Sequence, residues 1–201
     1  MKRIDLELSR LSPHFIGSWS IEPLSICDEL INFFEKQRSN HTKGRTAGGL
    51  NTESKNSTDL AIRPRDLELP SHEPLQTYIK SLFDCYKDYL EQWPFLESVL
   101  PSAEVGSFNI QKYEPGGHFM KVHSERTAID TSHRVLAWMT YLNDVEDGGS
   151  TRFEHQNFES QPQKGKTLIW PGEWTHAHRG NVVNLGVKYI ITGWMHFPTY
   201  A

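Results

Sequence analysis

Apolar positions recur along this chain with two different periods, and the change of period marks its organisation. After Pro23-Leu24-Ser25, the residues Ile26, Leu30, Ile31, Phe33 and Phe34 return at intervals of three and four. That spacing gathers them on one stripe of an amphipathic helix, with Ser25 as its candidate N-cap. A second stripe, built from Leu75, Tyr78, Ile79, Leu82, Phe83, Tyr86 and Leu90, predicts a helix over roughly Glu73 to Gln92. From Glu104 onward the period shortens to two. Phe108 and Ile110 point one way, while Ser107, Asn109, Gln111 and Tyr113 point the other. A strand with one polar face in a core-rich region suggests a barrel with a polar interior. Val135 to Leu142 is almost continuously apolar and reads as a strand buried on both faces. Lys166 to Trp170 and Tyr189 to Phe197 are further strands, and Glu114-Pro115-Gly116-Gly117 and Asp147-Gly148-Gly149 are turns.

Helices followed by short strands predict an α+β fold with a β-sandwich or barrel core. The segment from Gln37 to Arg65 has neither period and reads as one long loop. It carries six basic residues, Arg38, Lys43, Arg45, Lys55, Arg63 and Arg65, against Glu53 and Asp59. A segment of that kind is either a solvated loop or a lid over a substrate.

Composition narrows the partners. With 201 residues, one domain accommodates the pattern. We divide it into helical support over about 1–100 and a β-core over about 104–197. The formal charge of -4 gives no general basic footprint, so nucleic acid is not an expected partner. No apolar run has the length of a membrane span, and Met1 to Arg10 has no signal-peptide pattern. Cys27 and Cys85 sit in helical-looking apolar stretches and read as reduced core thiols, which makes a cytoplasmic location the expectation. The oligomeric state is not legible.

Ten histidines direct attention to a site. His123 and Glu125 stand two apart on an extended segment, so both side chains share a face. His178 or His176 offers a third ligand. Two histidines and a carboxylate form the facial triad suited to Fe(II), leaving open positions for further ligands. Lys188 lies ten residues beyond His178, on the last strand, with the parity of Ile190, Thr192 and Trp194. A lysine facing a barrel interior is costly unless an anion meets it, and the distal carboxylate of a keto acid is such an anion. Tyr113 is on the polar face of its own strand, within reach of the same partner.

The segment Tyr113-Glu114-Pro115-Gly116-Gly117-His118-Phe119-Met120-Lys121-Val122-His123-Ser124-Glu125 resembles the prolyl 4-hydroxylase family pattern of a tyrosine, a Gly-rich turn and a His-any-carboxylate triplet. Tyr141 to Phe153, with Gly148-Gly149, resembles that family's central strand and turn. Pro162 to Trp170 resembles the next strand, and His178 to Tyr189 resembles its distal-histidine segment. The resemblance covers roughly the C-terminal half, in order.

It implies a double-stranded β-helix (jelly-roll, cupin-like) core and an Fe(II)- and 2-oxoglutarate-dependent dioxygenase. Such an enzyme hydroxylates a substrate C–H with release of succinate and CO2. The resemblance implies that His123, Glu125 and His178 bind the metal. It implies that Lys188, helped by Tyr113 or Tyr141, binds 2-oxoglutarate, with Trp194 matching a tryptophan on the closing strand. His178 is preferred to His176 because its offset to Lys188 fits the family. The cofactors implied are Fe(II), 2-oxoglutarate and O2, with ascorbate as a further candidate. Arg152, Trp170 and Arg179 are candidate substrate contacts. Where the family usually has aspartate, this chain has Glu125, one methylene longer; a retained carboxylate argues against a halogenase. The leading substrate is a peptidyl proline. The alternatives are a free amino acid or small molecule, or a non-catalytic cupin-like metal-binding module, against which Lys188 speaks.

Overall fold

The computed structural model describes residues 1–4, 13–46 and 48–198. Strands of three or more residues are β1 (Gly17–Ser20), β2 (Thr58–Ile62), β3 (Phe108–Tyr113), β4 (Phe119–His123), β5 (Arg134–Tyr141), β6 (Thr151–Phe153), β7 (Phe158–Ser160), β8 (Lys166–Pro171), β9 (His178–Gly180), β10 (Val183–Leu185) and β11 (Lys188–His196). The helices are α1 (Ser25–Lys36), α2 (Glu73–Gln92) and the short α3 (Phe95–Val99).

Two antiparallel sheets face each other. The larger runs Lys2–Arg3, β1, β8, β5, β11, β3, β2, Thr42–Lys43, and Glu104–Val105 adds to β11. The smaller runs β7, β6, β9, β4, and β10 pairs separately with Asp147–Gly148. This is the double-stranded β-helix arrangement, with helices on one outer face.

The two faces of the larger sheet explain why its central strands read as continuously apolar. On β5, Leu136 and Trp138 belong to the core shared with α1 and α2, together with Leu30, Phe34, Tyr78 and Leu82. Ala137, Met139 and Tyr141 alternate with them and face the space between the sheets, beside Phe153, Leu168 and Trp170. Thr140 sits on the helix side, where its hydroxyl meets those of Tyr78 at 2.8 Å and Thr167 at 2.7 Å. Each of these three buried hydroxyls thus has a partner.

Three expectations need correction or refinement. Ser25 is the first residue of α1; Leu24 occupies the cap position and no side chain caps it. Asp28 in the first turn complements the helix dipole instead. The segment 37–65 is not one loop. It contains a single turn at Arg38–Asn40, the pair Thr42–Lys43, and β2, which pairs with β3 along five residues, from Thr58 opposite Lys112 to Ile62 opposite Phe108. β2 hides from pattern reading because its first cavity-facing position is charged. Asp59 is met there by Lys55 Nζ at 2.6 Å, both side chains being buried, while Leu60 and Ile62 face the helices. Finally, His176, the alternative third ligand, lies on a one-turn 3-10 helix, Trp174–His176, off the strand that carries His178.

Candidate metal centre

His123 ends β4 and His178 begins β9, and the two are direct cross-strand partners. Their rings lie 4.5 Å apart between centroids. Glu125 follows just beyond β4, where its backbone N–H and that of Arg126 both donate to the Gly172 carbonyl at 3.1 Å. This fold-back aims the carboxylate at both imidazoles. Glu125 Oε1 is 3.8 Å from His123 Nε2 and 3.4 Å from His178 Nε2. One donor atom from each residue lies within 4.8 Å of the others, the span of a single ion's coordination sphere.

The hydrogen bonds behind the triad fit a metal. His123 Nδ1 is 2.8 Å from the Lys121 carbonyl, and His178 Nδ1 is 2.9 Å from the His176 carbonyl. A carbonyl only accepts, so each Nδ1 carries the proton and each Nε2 presents a lone pair inward. Burial, reinforced by the neighbouring His178, pushes the His123 imidazole down to about 4, so it is a neutral ligand at pH 7. The second Glu125 oxygen is held from outside: Trp194 Nε1 donates to Oε2 at 2.6 Å. The Arg134 guanidinium stacks on that indole at 3.7 Å and donates to the Glu125 carbonyl at 3.3 Å. The extra methylene of glutamate is thus absorbed by a carboxylate pinned on one oxygen and open on the other. Two imidazoles and one carboxylate, converging and pre-oriented, are a suitable donor set for Fe(II).

The triad borders a cavity of about 760 Å³. At its closed end is Lys188, 2% exposed and without a carboxylate in ion-pair range among the described residues. Its ammonium donates to the Gly149 carbonyl at 2.8 Å and lies 4.5 Å from the Tyr113 ring centroid. Burial pushes its pKa down to about 7. Gly149 adopts φ +70°, and a Cβ there would stand 3.2 Å from the Lys188 side chain. Its turn therefore needs glycine twice over, for conformation and for clearance. Gly180 also lines the cavity; a Cβ there would come within 3.8 Å of Nζ. An unpaired buried cation with a cleared approach fits the carboxylate of a keto acid.

The remaining predicted residues divide. Trp170 lines the cavity and packs edge-on to His178 at 5.0 Å. Tyr113 lines it too, but its hydroxyl donates to Gln111 Oε1 at 2.7 Å. Gln111 turns its amide N–H towards Asp59, at 3.4 Å, which fixes that orientation. Tyr113 therefore offers the site its ring face. Tyr141 is not among the cavity-lining residues; its hydroxyl donates to the Ser160 carbonyl at 3.0 Å and accepts from Thr151 Oγ1 at 2.7 Å. Arg152 and Arg179 are also outside the cavity. They are cross-strand partners on the outer face of the smaller sheet, tied to Glu154 and Glu159. His176 bonds the His14 carbonyl at 2.9 Å, away from the triad. Sequence reading missed the Lys55–Asp59 pair and Thr151, all of which line the cavity. A signal for the former was present: a lysine and an aspartate four apart ahead of Leu60 and Ile62.

Residues 108–196 match the family profile described as the 2OG-Fe(II) oxygenase superfamily. The match runs from β3 to β11 and includes all three triad residues and Lys188. The chain is 26% identical over 134 residues to a probable prolyl 4-hydroxylase 9 of Arabidopsis thaliana, a match covering 54% of this chain and 46% of that protein. The chain spans less than half the length of the curated relatives it matches. Its fold resembles a prolyl 4-hydroxylase of Pseudomonas putida, with TM-score 0.69 and 17% identity over 94% of this chain and 95% of that one. It also resembles a prolyl hydroxylase of Trichoplax adhaerens, solved with a hypoxia inducible factor peptide fragment, with TM-score 0.71 and 14% identity over 94% and 86%.

Proposed function

We propose that this chain is an Fe(II)- and 2-oxoglutarate-dependent dioxygenase that hydroxylates a prolyl residue in a peptide. One observation carries the reading: the His123–Glu125–His178 triad and the unpaired Lys188 ammonium border the same cavity. A barrel that only stored a metal would have no use for that buried cation. Bound at the triad, Fe(II) with 2-oxoglutarate and O2 supplies the oxidising chemistry that inserts oxygen into a C–H bond, releasing succinate and CO2.

The chain's own residues bind, orient and shield. Lys188 holds the distal carboxylate of the keto acid, and Gly180 lines the cavity beside it. Met139, Trp170 and Ile190 line the cavity with apolar surface that excludes water from the reacting centre. Trp194 fixes which Glu125 oxygen is free to ligate. The peptide reading draws support from the prolyl hydroxylase relatives, one of which is solved with a peptide. We extend the proposal to ascorbate as a supporting reductant and to a cytoplasmic location, which the free buried thiols of Cys27 and Cys85 favour.

The test is anaerobic titration of Fe(II) and 2-oxoglutarate into the purified protein, monitored by the visible charge-transfer band of a chelated Fe(II)–keto acid centre. A band in wild type that is absent in His178→Ala supports the reading. A folded wild-type protein that gives no band refutes it.

A further inference from the structure

The charges lining the cavity can be assigned one by one, and three cations are left over beside one exposed carboxylate, Asp130. Glu125 belongs to the triad, and Lys188 to the keto-acid end. Lys55 and Asp59 neutralise each other at 2.6 Å. Arg134 is stacked on Trp194, within electrostatic reach of Asp130 and Glu125. Lys43, Arg45 and Lys121 remain. All three line the cavity, all three are exposed, and none has a carboxylate within ion-pair distance among the described residues. Their placement is not random. Lys43 is on the outermost strand of the larger sheet and Arg45 follows it, whereas Lys121 is on β4, the edge of the smaller sheet. The rims of both sheets therefore present cations to one opening, in a chain whose formal charge is -4. Positive charge focused at a cleft on an otherwise acidic body selects for anions.

We infer that the substrate is an acidic peptide, whose Asp or Glu side chains flank the target residue and are held between Lys43 and Arg45 on one rim and Lys121 on the other. This rests on the hydroxylase reading above. The occupant is a peptide because the spare cations sit at the mouth, on two separate sheet edges, and not beside the triad where a small ligand would be enclosed. Acidic side chains on either side of a residue reaching inward meet both rims at once.

The test uses the protein loaded anaerobically with Fe(II) and 2-oxoglutarate, so that the charge-transfer band reports loading before any peptide is added. Three blocked decapeptides with a central proline, flanked by Glu, Gln or Lys, are compared by fluorescence anisotropy. The Glu peptide is expected to bind about tenfold more tightly than the Gln peptide, as a few exposed charge contacts together supply. The Lys peptide is expected to bind weakest, and the Glu preference to shrink with added salt. In the Lys43→Glu/Arg45→Glu double variant the order should reverse. Equal affinity for the three peptides, or an unchanged Glu preference in the double variant, overturns the inference. Tighter binding of free glutamate than of the Glu peptide overturns the peptide as its source. Absence of the band in wild type refutes the hydroxylase reading itself and is seen first.

Discussion

Replacing Lys188 with methionine should make the ligand-free protein more stable while removing its affinity for 2-oxoglutarate. The ammonium is 2% exposed, and its one hydrogen bond among the described residues goes to the Gly149 carbonyl. Burial lowers its pKa from 10.5 to about 7. In the unfolded chain the same group stays protonated up to 10.5, so between these values the unfolded state binds more protons and stability rises with pH. At pH 7 the mismatch costs the folded protein on the order of 4 kcal/mol. Methionine fills a similar volume without the charge, but strands the Gly149 carbonyl, a loss of roughly 1–2 kcal/mol. The balance favours the variant by about 2–3 kcal/mol, or roughly 5–10 °C in Tm for a chain of this size. The advantage should shrink as pH rises from 7 towards 10.5, where the wild-type lysine folds neutral. Thermal melts at pH 7 and pH 9.5, with and without 2-oxoglutarate, measure all of this. A Lys188→Met protein that melts lower than wild type at pH 7, or that is still stabilised by 2-oxoglutarate, would show that Lys188 is not an unpaired cation awaiting a carboxylate.

Other outcomes follow from the same geometry. Trp194→Phe keeps the ring beneath Arg134 but removes the 2.6 Å hydrogen bond to Glu125; divalent-metal affinity, measured by calorimetry with Mn(II), should fall by about tenfold or more while the fold is retained. His123→Ala and His178→Ala should each lose bound iron, whereas His176→Ala should keep it; iron content of the purified variants decides, and iron lost only in His176→Ala would reverse the ligand assignment. Asp59→Ala leaves Lys55 buried without its partner and should destabilise by roughly 3–5 kcal/mol in urea unfolding, more than the Lys55→Met/Asp59→Ala pair does. An equal loss in the single and double variants would mean that the buried pair contributes through packing alone.

Legibility in the sequence followed periodicity. α2 was readable because its stripe runs over five turns, and β5 because both of its faces are apolar. β2 was not, since Asp59 breaks the apolar pattern and its neutralising partner lies outside the strand. The triad was readable because His123 and Glu125 stand two apart at the end of β4, and the offset between His178 and Lys188 linked β9 to β11. The outward placement of Arg179 was also latent there: the alternation that turns His178 inward turns its neighbour outward. Arg152 follows by pairing, which no single strand reveals. Tyr113 and Tyr141 share the correct region, but where a hydroxyl proton goes depends on Gln111, Thr151 and Ser160, which come together only in three dimensions.

β4 is joined to the rest of its sheet by two register pairs only, Phe119 with Gly180 and His123 with His178, separated by an irregularity. It is an edge strand, and it leaves Met120 and Val122 uncovered. A metal ion shared by His123 and His178 would cross-link that strand to its neighbour at its C-terminal end. Occupancy would then govern more than chemistry. Metal-poor protein would fray first at β4, offering a sticky ribbon to other chains and a cleavage site to proteases. Iron supply would thus set the working lifetime of the molecule as well as its turnover.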